Sequence, residues 1–335
     1  MSSTKPSPRP VLRLLGLGLA LAFVYAVPAI AAAADAPFWV GIASRVLIFA
    51  LAAVSLDLVL GYGGMISFGH AAFVGVGAYM VAILAHHAES ESPILAWPVV
   101  IPGTGSALLA WPAAAAASAL CAFLVGLVSL RTAGVYFIMI TLAFAQMIYF
   151  FFVSLDRYGG DDGLALDARS FVGPLDLDDP VTFYYAVATI LVLVLAFCRR
   201  LVRSRFGMVV QGAGENDRRM QALGHPTYRY RLACFTISGA IAGLAGALLA
   251  NQTEFVSPAF LHWSRSGELL VMVILGGVGT LFGPVLGAAA FLLIEDLLSG
   301  YTQHWMIVFG PLLVLIVLFA KRGLIGLLSF RESVR

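Results

Sequence analysis

The sequence predicts an all-α polytopic membrane protein, and three observations support that fold class. Hydrophobic residues make up 61% and charged residues only 11% of the 335 residues, against roughly half and a quarter in soluble domains. The mean hydropathy is +0.94. The apolar residues fall in runs close to the ~20 residues that a helix needs to cross a bilayer, without the alternation of a barrel strand. The composition therefore excludes an ordinary water-exposed domain.

Ten apolar runs predict about ten membrane spans in a single transmembrane domain, residues 1–335. The first run, residues 11–33, ends in alanines, so a cleaved signal peptide is an alternative to a retained anchor. The remaining predicted spans are residues 38–60, 65–85, 106–130, 133–155, 181–198, 232–252, the two halves of 266–299, and 304–320.

The long apolar stretch 266–299 is divided because of its glycine-rich segment GGVGTLFGP, residues 276–284. As one span, it would place the basic C-terminal residues 321–335 outside, against the excess of Lys and Arg on cytoplasmic segments. Divided, it places both termini and the Arg-rich loop 199–231 in the cytoplasm. The outer loops are then residues 86–105 and residues 156–180, and the second of these is rich in Asp.

Each half of this divided stretch is short for a full crossing. Irregular backbone at membrane depth survives only where protein buries it or a watery cavity meets it. We therefore expect Gly276, Gly277 and Gly279 to lie inside the bundle. Interrupted helices indicate a transport pathway, and tight helix packing is the alternative.

The densest motif is GYGGMISFGHAAFVGVGAYM, residues 61–80, whose first glycines allow a helix to unwind. Small residues at every fourth position predict a face on which another helix can lie closely. Ser67, Ala71 and Gly75 form that face, and His70, Phe73 and Gly77 form another.

Polar side chains in apolar spans are candidates for function. An imidazole such as that of His70 is expensive in a bilayer, although it can also serve structure alone through a hydrogen bond to a neighbouring helix. Thr141 and Gln146 can line a path or tie helices together. The predicted translocation pathway comprises Ser67, His70, Phe73, Gly75, Gly77, Thr141, Gln146, Gly276, Gly277 and Gly279.

Ionisable residues in the predicted spans are few: Arg45, Asp57, Glu268, Glu295 and Asp296. Arg45 and Asp57 lie about 18 Å apart along a helix and cannot pair within it. The chain has no phosphate-binding loop and no metalloprotease motif, and its three cysteines show no metal-ligand or redox spacing. We predict no catalytic residue, metal or cofactor.

The loop between the sixth and seventh spans predicts a docking helix from Glu215 to Leu223. Acidic residues lie near its start, where the helix dipole favours them, and Gly224 is placed to end it. A helix this short must dock on something to persist. The residues assigned to ATPase coupling are Glu215, Asp217, Met220, Ala222, Leu223 and Gly224. Nucleic acid is not an expected partner, because the positive-inside rule explains the neighbouring arginines.

Most of the chain, from about residue 50 to 320, resembles the branched-chain amino-acid ABC permeases in motifs that follow family order. These motifs include LVLGYGGMISFGHAAFVGVGAYM, YFIMITLAFAQM, GGDDGL, GENDRRMQALG and LLVMVILGGVGTLFGPVLGAA. Glu215, Ala222 and Gly224 match the ATPase-docking loop of the family, whereas Asn216 and Asp217 depart from its Glu-Ala-Ala pattern.

The resemblance implies a multi-pass subunit in a bacterial inner membrane, in contact with lipid. Its expected partners are a second permease subunit, two cytoplasmic ATPases that hydrolyse ATP, and a periplasmic binding protein. Family relatives leave a urea or amide permease as an alternative. A secondary carrier without an ATPase is the alternative from another class.

Overall fold

The computed structural model describes residues 10–33, 35–90, 93, 103–173, 176–301, 304, 307, 309–311 and 323–328. Its helices are α1 (Pro10–Ala33), α2 (Phe38–Asp57), α3 (His70–Glu89), α4 (Ala107–Ser129), α5 (Val135–Val153), α6 (Pro180–Val202), α7 (Arg205–Ala222), α8 (Thr227–Thr253), α9 (Trp263–Gly276), α10 (Gly283–Tyr301) and α11 (Gly323–Leu328). Two short strands, β1 (Leu164–Ala165) and β2 (Phe255–Val256), complete the fold.

Among the described residues, seven helices are long and apolar enough to cross a membrane: α2 with its extension to Tyr62, α3, α4, α5, α6, α8 and α10. The prediction of an all-α polytopic protein is therefore confirmed. Helix α1 adds the shorter apolar segment Ala22–Ala33, and α9 has only 14 residues. Most of the predicted last span, 304–320, and most of the loop 86–105 lie outside the described residues, so the count of ten stays a prediction.

Helix α8 packs against both α3 and α4, because glycines let the backbones approach. A Cβ atom on Gly77 would overlap the Gly243 carbonyl, and a Cβ atom on Gly246 would overlap that of Val74. Close approach of this kind replaces the hydrophobic driving force that is absent between helices in lipid. The Ser118 hydroxyl of α4 also donates to the Phe73 carbonyl over 2.9 Å.

The loop between α5 and α6 rests on the C-terminal end of α8. Strand β1 pairs antiparallel with β2, with Leu164 opposite Val256. Asn251 of α8 is buried, and its side-chain oxygen accepts from the Ser170 amide over 2.6 Å. Arg169 pairs with Glu254 over 3.1 Å. These contacts hold the loop and the end of α8 together.

Helix α6 begins where Asp179 caps its first turn. The Asp179 carboxylate accepts from the Thr182 amide at 2.9 Å and from the Thr182 hydroxyl at 2.7 Å. The Thr182 hydroxyl, and after it the amide, hold the pKa of the Asp179 carboxyl below its usual range, since both bonds favour the charged form. Pro180 follows at the first helical position, where its missing amide proton costs nothing.

The glycine-rich segment 276–284 does divide the long apolar stretch, as the sequence predicts. Helix α9 ends at Gly276 and α10 begins at Gly283, and the two helices pack on each other. The expectation that both halves are short is wrong for α10, which has 19 residues and is long enough to cross. Arg45 of α2 pairs with Glu295 of α10 over 3.5 Å.

Candidate functional site

The motif 61–80 contains a helix end, an irregular segment and a new helix. Helix α2 continues through a π-helical turn at Leu58–Tyr62, and the chain then leaves helical structure until His70. The predicted span that begins at residue 65 is therefore wrong by five residues at its start. Gly64 has φ +64°, a conformation that glycine adopts without strain.

The two glycine breaks of the sequence meet at Asp57. This carboxylate is 2% exposed, and its Oδ1 accepts from the Gly279 amide over 2.8 Å. Gly61 lies against the same pair, since a Cβ atom there would overlap both Asp57 Oδ1 and the Gly279 nitrogen. The sequence indicates each break separately and gives no sign that they touch.

The turn between α9 and α10 is built from glycines in unusual conformations. Gly277 is buried with φ 122°, and Gly279 is half-buried with φ 73°. Gly276 is buried against the Gly283 carbonyl, with no room for a Cβ atom. The expectation that Gly276 and Gly277 are buried inside the protein is confirmed.

His70 joins three helices at a fully buried position. Its Nε2 lies 3.0 Å from Ser55 Oγ of α2 and 3.1 Å from Ser238 Oγ of α8. Both hydroxyls also reach carbonyl oxygens, Ser55 that of Ala52 and Ser238 that of Ser55. A hydroxyl that donates elsewhere can only accept from the ring, so Nε2 bears the proton. Nδ1 is then an acceptor, with no partner among the described residues.

The two predicted faces of α3 contact different neighbours. Gly75 lies against Leu261, and the Ala71 amide donates to Ser266 Oγ of α9 over 2.9 Å. On the other face, Phe73 meets Phe235 of α8 edge to face at 5.5 Å. The predicted small face is correct only in part, because Ser67 precedes α3. The close approach of another helix is on the second face, where Gly77 meets the backbone of Gly243 in α8.

Ser67 and Thr141 hold the segment that precedes α3. Both are fully buried. Ser67 Oγ accepts from the Gly69 amide over 3.3 Å, and Thr141 Oγ1 accepts from the Phe68 amide over 3.3 Å. These contacts favour the tying role for Thr141. Gln146, one turn further along α5, is half-buried.

The docking helix is part of a longer, broken helix. Helix α7 starts at Arg205 and bends at Asn216, whose φ −153° and ψ 94° are not helical. Asn216 Oδ1 accepts from the Arg219 amide over 3.0 Å and so caps the second half. The predicted start at Glu215 is wrong, because Glu215 ends the first half and Asp217 opens the second.

The second half of α7, residues 217–222, ends as the sequence predicts. Gly224 has φ 86°, the left-handed stop that glycine provides. Leu223 is 68% exposed. Met220 instead folds back on Gly212 of the first half, so the predicted apolar edge is reduced to Leu223.

Helix α7 packs on the bundle through Val210, which is buried against Leu58 and Cys234. Polar and backbone contacts add to this packing. The Arg231 guanidinium of α8 donates to the Ala213 carbonyl over 2.6 Å and lies 3.9 Å from the Asp217 carboxylate, so it spans the bend. A Cβ atom on Gly64 would lie 3.2 Å from Gly214 Cα. The glycine motif therefore touches α7 on one side and Gly279 on the other.

A cavity of about 520 Å³ lies between α2, α3, α8, α9 and α10. None of the ten predicted pathway residues lines it, and their assignment to a pathway stays a prediction. Its polar lining consists of Arg45, Gln252, Thr253, Arg265 and Asp296. The sequence shows the charges of Arg45 and Asp296 but gives no sign that both line one cavity. In the sequence, Gln252 at the end of the apolar run 232–252 is the residue that could have indicated a polar site there.

Comparison with known proteins extends these observations. A family model described as the branched-chain amino acid transport system / permease component matches residues 38–317. The chain is 29% identical over 310 residues to the high-affinity branched-chain amino acid transport system permease protein LivM of Salmonella typhimurium, covering 85% of this chain and 69% of the relative.

Two further relatives show the same similarity. LivM of Escherichia coli (strain K12) is 28% identical over 310 residues, 85% of this chain and 69% of the relative. LivH of Salmonella typhimurium, also named a branched-chain amino acid transport system permease protein, is 24% identical over 285 residues, 83% of this chain and 91% of the relative. No solved structure matches the chain. The chain is a multi-pass membrane protein that belongs to the branched-chain amino acid transport system permease family.

Proposed function

We propose that this chain is the transmembrane permease subunit of an ATP-driven ABC importer for branched-chain or related amino acids, and that it is a transport subunit rather than an enzyme. It assembles with a second permease subunit in a bacterial inner membrane. Two cytoplasmic ATPases hydrolyse ATP, and a periplasmic binding protein delivers the substrate. The family membership supports this proposal, and α7 is the structural observation that supports it most.

Helix α7 has the properties of a coupling element. Its second half exposes Leu223 on a turn closed by Gly224, which suits insertion into a groove on an ATPase. Its first half contacts the glycine motif through Gly214. If the second half of α7 moves together with the ATPase, the movement would therefore displace Gly64 and the neighbouring break at Gly279. A secondary carrier binds no ATPase, so it does not require a helix that exposes an apolar turn and contacts the glycine motif.

Uptake by the complete transporter tests the proposal. Proteoliposomes that contain this chain, its partner permease, both ATPases and the binding protein should accumulate L-leucine only when ATP is hydrolysed. Accumulation without ATP, driven by an ion gradient, would show a secondary carrier. ATP-driven uptake of urea with no uptake of leucine would establish the amide-type alternative.

The ten-span topology with both termini in the cytoplasm is part of the proposal and has its own test. Single cysteines at Glu89, Asp161 and Glu215, all exposed positions, replace the native residues in a chain without its other cysteines. An impermeant thiol reagent added outside should label the first two and spare the third. Labelling of position 215 from outside would disprove this topology.

A further inference from the structure

The cavity between α2, α3, α8, α9 and α10 contains charges of both signs within an apolar wall. Arg45 and Arg265 are its cations, and Asp296 is its anion. Each arginine also has an acidic neighbour: Arg45 lies 3.5 Å from Glu295, and Arg265 lies 2.7 Å from Glu268. Arginines and acids inside a membrane protein are costly and face its interior or a watery cavity.

A buried acceptor in the lining lacks a donor. The Gln252 side-chain amide nitrogen donates to the Gly41 carbonyl over 3.4 Å. Its oxygen Oε1 is buried and has no hydrogen-bond partner among the described residues. An unsatisfied buried acceptor costs free energy, and this oxygen has almost no surface open to the cavity. Asp296 is therefore the group in the lining that can receive a cation.

The rest of the cavity suits an aliphatic group. Apolar side chains such as Ile48, Leu249 and Leu269 line it beside the polar groups. A volume of about 520 Å³ falls within the range of small-molecule sites. A ligand that fits has an anion for the guanidinium groups, a cation for Asp296 and an apolar side chain.

We propose that this cavity binds the zwitterionic head and aliphatic side chain of the amino acid in transit, with Arg45 as a carboxylate-binding residue. The proposal rests on the function proposed above. The competing explanation is that Arg45 only stabilises α2 against α10 through its pair with Glu295. Glu295 is absent from the cavity lining, which provides a matched control.

Uptake of L-leucine by the complete transporter should be measured for Arg45→Gln, Glu295→Gln and the double variant. Each single change breaks the same ion pair, but only Arg45→Gln removes a cavity group. We expect Arg45→Gln and the double variant to lose at least tenfold in uptake rate, and Glu295→Gln to stay within about threefold of wild type. Equal losses in both single variants, with recovery in the double variant, would overturn the proposal in favour of a structural pair.

A second measurement leaves all the charges in place, in case the Arg45 variants fail to assemble. Thr253→Cys, in a chain whose three native cysteines are changed to alanine, places a thiol in the lining. L-leucine should slow its labelling at least threefold, whereas uncharged N-acetyl-L-leucinamide should not. Equal labelling with and without leucine would overturn the cavity proposal. The proposed function fails instead if the wild-type transporter shows no ATP-dependent leucine uptake.

Discussion

Gly246→Ala should prevent this protein from folding stably, since the added methyl group would overlap the Val74 carbonyl where α8 crosses α3. Overpacking of a core costs ~1–3 kcal/mol where side chains can adjust. Here the obstacle is backbone, so the helices must separate and lose contacts along their length. We expect loss of most monodisperse protein in size-exclusion chromatography and a marked fall in thermal stability.

Gly267→Ala is the matched control for this prediction. Gly267 lies within α9, and no atom outside its own stretch of helix lies within 4 Å of the position of its added Cβ. The same substitution there gains helix propensity of ~1 kcal/mol, so yield and thermal stability should not fall. Equal behaviour of both variants would mean that α8 and α3 do not depend on close approach at Gly246.

Leu223→Asp should uncouple ATP hydrolysis from transport and lower leucine uptake at least tenfold. Leu223 is exposed on the turn that follows the second half of α7, so a carboxylate there costs this chain little. In an apolar groove of an ATPase, an unpaired charge is strongly unfavourable. Uptake and binding-protein-stimulated ATP hydrolysis, measured on the reconstituted complex, check this expectation.

Leu223→Met provides the control for the coupling prediction, because it keeps an apolar side chain of similar size. It should leave both uptake and stimulated hydrolysis near the wild-type values. If Leu223→Asp co-purifies with the ATPases and hydrolyses ATP at the normal stimulated rate, residues 217–224 are not the coupling element. The secondary carrier would then become the leading alternative.

The sequence predicts the helices and helix ends that depend only on neighbouring residues in the chain. Runs of apolar residues locate α4, α5 and α6 to within four residues, because the bilayer sets helix length. Helix α8 begins five residues before the predicted start at residue 232. Gly224 ends its helix as predicted, since a left-handed stop is a property of that residue itself. The break at Gly276 follows from the conflict between one long span and the distribution of arginines.

The remaining features depend on contacts between segments distant in the chain. Nothing in the sequence near Asp57 shows that its carboxylate accepts from Gly279, 222 residues away. The bend at Asn216 lies one residue from the predicted start of the docking helix, but nothing in the sequence shows that a first half of α7 precedes it. The cavity escaped prediction for the same reason, because its polar groups come from four helices that are distant in the chain.

The length and position of α8 have a mechanical consequence. Its 27 residues, Thr227–Thr253, extend about 40 Å. Arg231, which spans the bend in α7, lies near one end, and Asn251, which holds the loop before α6, lies near the other. The tight crossing at Gly243 and Gly246 lies between these ends and would serve as a pivot. Any tilt of this rod would swing its two ends in opposite directions. A force applied at the end of α8 near Arg231 would then move the end near Asn251 without a series of side-chain rearrangements.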